Sequence, residues 1–74
     1  MAKTDSALAK VGRNLRKARL ARGLSQEELA HRSGVHRTYI GAIERGEYNF
    51  TILSLRKITR ALGISLRAAV DDVS

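Results

Sequence analysis

The middle of the chain carries the pattern that most restricts its possible folds. Ser25 and Glu28 have the Ser-x-x-Glu spacing of a capping box, which predicts a helix over residues 26–33. Gly34 follows at a corner where glycine adopts a positive φ at little cost. Apolar residues then recur with helical spacing over residues 37–45. The stretch is therefore predicted to be two short helices joined by a tight turn.

Three further helices are predicted around this pair, and no strand. Their apolar repeats lie within residues 6–22, 52–62 and 66–70. The inner stripe of the fourth helix is expected to include Ile52, whereas Leu53 points elsewhere. The predicted fold class is all-α, with five compact helices in a single domain over residues 1–74 and with residues 1–5 frayed.

Positive charge is concentrated on the same part of the chain. The net charge is +7, from 14 Lys and Arg against 7 Asp and Glu. Nine basic and three acidic residues lie between Lys10 and Arg45, so that segment carries +6. A well-solvated basic surface is the alternative, but concentration on one motif favours nucleic acid. No Cys and no apolar run of membrane-spanning length are present, so a cytoplasmic protein of bacterial type is expected.

The second helix of the pair is predicted to be the recognition helix of a DNA-binding helix-turn-helix. Arg37 can present its guanidinium fork to guanine, and Thr38 can offer a hydroxyl or a methyl group. Ala42 can contact a thymine methyl, and Arg45 can reach a base or a phosphate. Gly41 is placed at one edge of the same small-residue outer face. The alternative for Arg37 and Thr38 is ordinary solvated polar residues at a helix start.

Phosphate contacts are predicted around that helix. Gln26 begins the preceding helix, where free backbone N–H groups attract phosphate. Tyr39 can donate its hydroxyl, or instead pack against the core edge. Tyr48 and Asn49 lie in the following loop, where ordinary turn residues are the alternative. His36 is interpreted as a helix cap or a DNA contact.

Arg19 and Glu44 are predicted to form a buried ion pair. Each falls on the apolar side of its helix, and each alone would be a costly buried charge. The alternative is that both reach the surface with their charged ends.

His31 and His36 do not share a helix face, and no other ligand completes a metal set. No catalytic constellation is recognisable, so neither an enzyme, nor a cofactor, nor a small-molecule ligand is expected.

A family resemblance extends from about Leu8 to Ala69. It is carried by Gly23-Leu24-Ser25-Gln26, Leu29-Ala30, Gly34-Val35, Tyr39-Ile40, Ile43-Glu44-Arg45-Gly46 and Leu62-Gly63-Ile64-Ser65. With these residues the chain resembles the phage-repressor-like helix-turn-helix family, of Cro/C1 or XRE type. The run His36-Arg37-Thr38-Tyr39-Ile40, with Ile43-Glu44-Arg45, looks like the controller proteins of restriction–modification operons.

That resemblance implies a lambda-repressor-like, five-helix homodimer bound to palindromic operators. It implies activation of its own transcription, repression at higher occupancy, and control of the endonuclease gene. The family's DNA-contacting positions correspond to Gln26, Arg37, Thr38, Tyr39, Ala42 and the loop near Tyr48 and Asn49. The resemblance also supports the pair between Arg19 and Glu44.

Dimerisation is predicted to use apolar residues near the end of the chain, namely Leu53, Ile64, Leu66, Val70 and Val73. The alternative for Leu53 is a singly exposed leucine.

An activator would also contact RNA polymerase, for which Glu27 and Glu28 are candidates. Three other functions remain open: an antitoxin, a small phage repressor or Cro protein, and a protein–protein adaptor that does not bind DNA. The expected location is the bacterial cytoplasm, at the nucleoid when the protein is bound to its operator.

Overall fold

The computed structural model of the chain describes residues 6–47 and 49–71. These contain five helices and no strand, so the all-α prediction is confirmed for the described part of the chain. The helices are α1 Ser6–Ala21, α2 Gln26–Ser33, α3 Arg37–Glu44, α4 Ile52–Leu62 and α5 Leu66–Ala69. Helices α1, α3 and α5 each end one residue earlier than predicted, a difference that is ordinary at a fraying last turn.

The ends of α2 are determined locally. The Ser25 hydroxyl accepts from the Glu28 amide at 2.9 Å, and the Glu28 carboxylate accepts from the Ser25 amide at 2.8 Å. This reciprocal bonding is the predicted capping box, and the Ser25 amide lowers the pKa of Glu28 below its usual range. Gly34 ends the helix with a φ of 76° and donates its amide to the Ala30 carbonyl at 2.9 Å.

One hydrophobic core joins all five helices. Helix α1 packs against α3, α2 packs against α3 and α4, and α5 lies against α1 and α4. The buried apolar residues are Val11, Leu15, Leu24, Leu29, Val35, Ile40, Ile43, Leu55, Ile58, Leu62 and Ala69. Both helices of the helix-turn-helix, α2 and α3, therefore pack against the same hydrophobic core.

Helix α1 meets the end of α3 through a glycine. A Cβ built on Gly12 would lie 2.4 Å from the Ile43 carbonyl oxygen and 2.6 Å from that of Glu44. Immediately after α3, Gly46 has a φ of 72°, and a Cβ there would lie 2.9 Å from Ala9 Cα. The backbone of α1 thus lies directly against the carboxyl end of α3, and no side chain separates them.

The four-residue helix α5 is held by a side chain from α1. The Asn14 amide donates to the Ala69 carbonyl at 2.9 Å and to the Asp71 carbonyl at 3.0 Å. These bonds occupy carbonyl groups that a helix leaves without internal partners. Ala69 is fully buried and Leu66 packs partly against the core, so these two side chains and the Asn14 amide orient α5.

The prediction that Ile52 belongs to the inner stripe of α4 is wrong, because its side chain is 69% exposed. Ile52 is the first residue of its helix. Helical side chains lean toward the amino terminus, so the side chain of a first residue extends past the helix end. The rest of the predicted stripe is buried, as shown by Leu55, Ile58, Thr59 and Leu62.

Among the described helices, none is long and apolar enough to cross a membrane.

Candidate nucleic-acid interface

Helix α3 presents one face to the core and another to solvent. Ile40 and Ile43 are almost completely buried. Because a helix repeats about every 3.6 residues, their burial turns the opposite side outward. Of the four residues predicted to contact bases, Arg37, Thr38 and Arg45 are exposed, and Ala42 is half-buried.

The amino terminus of α3 is capped by an imidazole. The Nδ1 atom of His36 accepts from the Thr38 amide at 3.1 Å. A neutral ring that accepts at Nδ1 carries its proton at Nε2, where it can still donate to a phosphate. Arg37 lies beside Glu27, with 4.0 Å between Nε and Oε2, and both side chains are well exposed. An exposed pair at this distance is weak, so Arg37 can exchange it for a base.

An apolar cleft of about 330 Å³ lies along the outer side of α3. It is lined by His36, Thr38, Tyr39 and Ala42. Tyr39 is half-buried and packs partly against the core. Such a surface has the chemistry to receive a thymine methyl group.

Arg19 and Glu44 form the predicted buried ion pair, and its geometry is bidentate. Arg19 Nε donates to Glu44 Oε2 at 2.7 Å, and Nη2 donates to Oε1 at 3.0 Å. Both residues are only 7% exposed. Arg19 Nη1 also donates to the Leu24 carbonyl at 2.8 Å. Hydrogen bonding to Glu44 raises the pKa of Arg19 above its ordinary value, so the guanidinium stays charged.

The same carboxylate also holds Gln26. The side-chain amide Nε2 of Gln26 donates to Glu44 Oε1 at 3.0 Å, which links the first residue of α2 to the last residue of α3.

The prediction that Gly41 belongs to an outer small-residue face is wrong, because Gly41 is buried. A Cβ on Gly41 would lie 3.4 Å from Gln26 Oε1 and 3.1 Å from Arg45 Nη1. The two longer side chains cover it.

The remaining predicted site residues differ in how exposed they are to solvent. Asn49 is exposed, whereas Tyr48 and Val73 lie outside the described residues. Of the predicted dimer residues, Leu53 is 64% and Val70 is 42% exposed. The other two, Ile64 and Leu66, pack partly against the core. Within residues 6–47 and 49–71, no group of three or more His, Cys, Asp or Glu side chains could hold a metal ion.

Two structural residues at this site were missed by sequence reasoning. Gly12 permits the contact between α1 and α3, and Asn14 holds α5. A signal for Gly12 existed, because an isolated glycine inside a helical repeat commonly has a packing reason. Asn14 gave no comparable signal, since its partners lie more than fifty residues away along the chain.

Comparison with known proteins identifies close relatives of this architecture. The helix-turn-helix family profile HTH_3 matches residues 15–68, which include α2 and α3. The chain is 49% identical over 53 residues to control protein C.SmaI of Serratia marcescens. This match covers 72% of the present chain and 63% of the Serratia protein, which is less than two thirds of that relative's length.

Two solved structures have the same fold. The restriction–modification controller protein C.AhdI of Aeromonas hydrophila superposes with a TM-score of 0.82 at 45% identity, covering 84% of this chain and 94% of that one. The controller protein C.Esp1396I, solved as a tetramer with its natural 35 base-pair operator, gives 0.76 at 46% identity, covering 80% and 78%. The chain therefore belongs to the XRE-type helix-turn-helix family and is similar to restriction–modification controller proteins.

Proposed function

We propose that this chain is a sequence-specific transcriptional regulator, the controller protein of a restriction–modification operon. It binds palindromic operators as a homodimer, activating its own gene and the endonuclease gene and then repressing them at higher occupancy. The observation that carries the proposal is the exposed, capped start of α3, where Arg37 and Thr38 face solvent. The operator complex of the relative C.Esp1396I supports it.

In the bound state, each subunit places α3 in the major groove. Two copies related by a dyad would read half-sites about 34–36 Å apart, one helical turn of DNA. Arg37, Thr38 and Ala42 supply base contacts, and Arg45 reaches a base or a phosphate. The phosphate contacts come from Gln26, His36, Tyr39, Tyr48 and Asn49. Because phosphate contacts release counterions, affinity should fall steeply as salt rises.

Replacing Arg37 with alanine is expected to remove discrimination at one base pair of each half-site. A bidentate guanine contact contributes about 1–3 kcal/mol to the discrimination between guanine and a wrong base, and the variant loses that discrimination. Fluorescence anisotropy with the operator and with duplexes substituted at single positions measures this. Arg32→Ala is the matched control, because Arg32 is also exposed but lies on the last turn of α2. Equal discrimination by both variants would contradict the assignment.

Replacing Leu53 with lysine is expected to weaken the homodimer. Leu53 is 64% exposed, and a charge placed in an apolar contact must be desolvated when the subunits meet. Sedimentation velocity at micromolar concentration should show a shift toward monomer. Leu20→Lys serves as the control, because Leu20 is 54% exposed on a different helix. An unchanged profile for Leu53→Lys would exclude it from the interface.

Activation requires a contact with RNA polymerase, which we propose is made by the acidic pair at the start of α2. The Glu28 carboxylate is engaged in the capping box. Glu27 has a 77% exposed side chain and only a long contact with Arg37, so it is the more available of the two. We place this activity in the bacterial cytoplasm, at the nucleoid when the operator is occupied.

Footprinting of the DNA upstream of the chain's own gene tests the function directly. Two pseudo-palindromic sites, protected in order as protein concentration rises, are the result expected of a controller. One site with repression alone would indicate a simple repressor. No protection at any concentration in moderate salt would contradict a DNA-binding function.

A further inference from the structure

A cavity of about 380 Å³ lies at the surface where α1, α2 and α3 meet. It is lined by Arg16, Arg19, Gln26, Glu44 and Arg45. Three of these side chains are cations and one is an anion, so the lining carries a net positive charge. Two of the cations, Arg16 and Arg45, are solvent-exposed.

The inner part of the cavity carries no uncompensated charge. Both oxygens of the Glu44 carboxylate accept hydrogen bonds from Arg19, which neutralises the anion. An incoming anion would therefore not meet an unpaired carboxylate. The excess positive charge is left to Arg16 on α1 and to Arg45, the residue after α3.

The groups around the cavity have unused hydrogen-bonding capacity. Gln26 Nε2 has two N–H bonds, and the structure uses one of them toward Glu44. Arg45 pairs with Glu47 at 3.0 Å, but both side chains are more than half exposed, so this pair is easily exchanged. Arg16 makes no ion pair with any residue in the described part of the chain.

Gly41 leaves the space that the ends of Gln26 and Arg45 occupy. A Cβ on Gly41 would press on Arg45 Nη1 at 3.1 Å and would contact Gln26 Oε1 at 3.4 Å. Both contacting atoms are ends of flexible side chains. A methyl group there would shift Arg45 Nη1 by a few tenths of an ångström and contact Gln26 Oε1, without moving the backbone.

We propose that this cavity binds one DNA backbone phosphate, with Arg16 and Arg45 as its charged clamp and Gln26 as a third donor. This inference rests on the proposed DNA-binding function and extends the DNA surface from the helix-turn-helix onto α1. Donors from α1, from the start of α2 and from the residue after α3 suit a tetrahedral anion better than the flat edge of a base. Phosphate contacts of this kind fix the orientation of a protein on the duplex. Gly41 is a positioning residue for the clamp.

The test measures the salt dependence of binding for Arg16→Gln. The probes are the duplex protected in the footprint and a duplex of unrelated sequence, titrated between about 50 and 200 mM salt. Loss of one phosphate contact per subunit should make the slope of log K against log salt shallower by about 0.9 per subunit on both duplexes. Arg13→Gln is the matched control, since it removes the same charge from the same helix but does not line the cavity.

The variant Gly41→Ala provides a second test of the phosphate cavity. It should weaken binding to both duplexes while leaving the melting temperature unchanged or higher, because alanine favours the helix more than glycine does. A purely structural role for Gly41 would lower melting and binding together, and that result would overturn its positioning role.

The outcomes separate the two proposals. If the wild-type chain binds neither duplex, the proposed function fails. If it binds and Arg16→Gln has the same salt slope as Arg13→Gln, the phosphate cavity is overturned while the proposed function stands. A shallower slope for Arg16→Gln alone, equal on both duplexes, supports the cavity.

Discussion

Replacing Glu44 with alanine is expected to lower the free energy of unfolding by about 3–5 kcal/mol, because it leaves the buried Arg19 guanidinium without an anion. The cost should be near the upper end, since Glu44 also accepts from Gln26. Small domains are commonly stable by only about 5–15 kcal/mol, so the variant is expected to be largely unfolded under mild denaturing conditions. Arg19→Ala should have a similar effect, with the uncompensated charge now on Glu44.

Urea denaturation followed by circular dichroism measures both losses. Glu47→Ala is the control, because it breaks an exposed pair with Arg45 and should change stability by no more than about 1 kcal/mol. The double variant Arg19→Ala with Glu44→Ala should cost less than the sum of the single changes. Losses indistinguishable from zero for both single variants would mean that the pair contributes nothing to the fold.

Replacing Gly12 with alanine is expected to cost about 3 kcal/mol, the upper end of the range for an overpacked core. The added methyl would lie 2.4 Å and 2.6 Å from the carbonyl oxygens of Ile43 and Glu44. Those atoms belong to backbone and cannot rotate away, so α1 must move from α3. Alanine improves helix propensity by about 1 kcal/mol, which offsets only part of the cost.

Gly41→Ala is the natural control for Gly12→Ala. Both glycines are buried within helices, and neither has a positive φ. They differ in what a Cβ would meet, which is backbone at Gly12 and the flexible ends of Gln26 and Arg45 at Gly41. Thermal melting should therefore fall for Gly12→Ala and hold or rise for Gly41→Ala. Equal shifts would show that helix propensity, and not the contact, governs Gly12.

The features that sequence predicted correctly depend on short-range rules. The capping box at Ser25 and the positive φ of Gly34 are properties of a few consecutive residues. The pair of Arg19 and Glu44 could be predicted across two helices, because helical periodicity turned both charges inward and an unpaired buried charge is costly.

The features that sequence could not predict depend on how helices approach one another. The contact of Gly12 with α3 and the bonds of Asn14 to α5 require the tertiary arrangement. Ile52 was misplaced because periodicity describes direction around a helix and not where the core ends along it. Gly41 was misplaced because two long side chains cover it, that of Arg45 four residues later and that of Gln26 from α2.

The direct approach of α1 to the carboxyl end of α3 has a consequence for how this protein can diverge. Gly12 and Gly46 hold that end by backbone contact, so substitutions there change the fold before they change recognition. The amino-terminal end, with Arg37 and Thr38, packs against nothing that the core requires. New target sequences can therefore be acquired at these two positions while the scaffold is inherited unchanged. A library randomised at only these codons should yield folded proteins at nearly every combination.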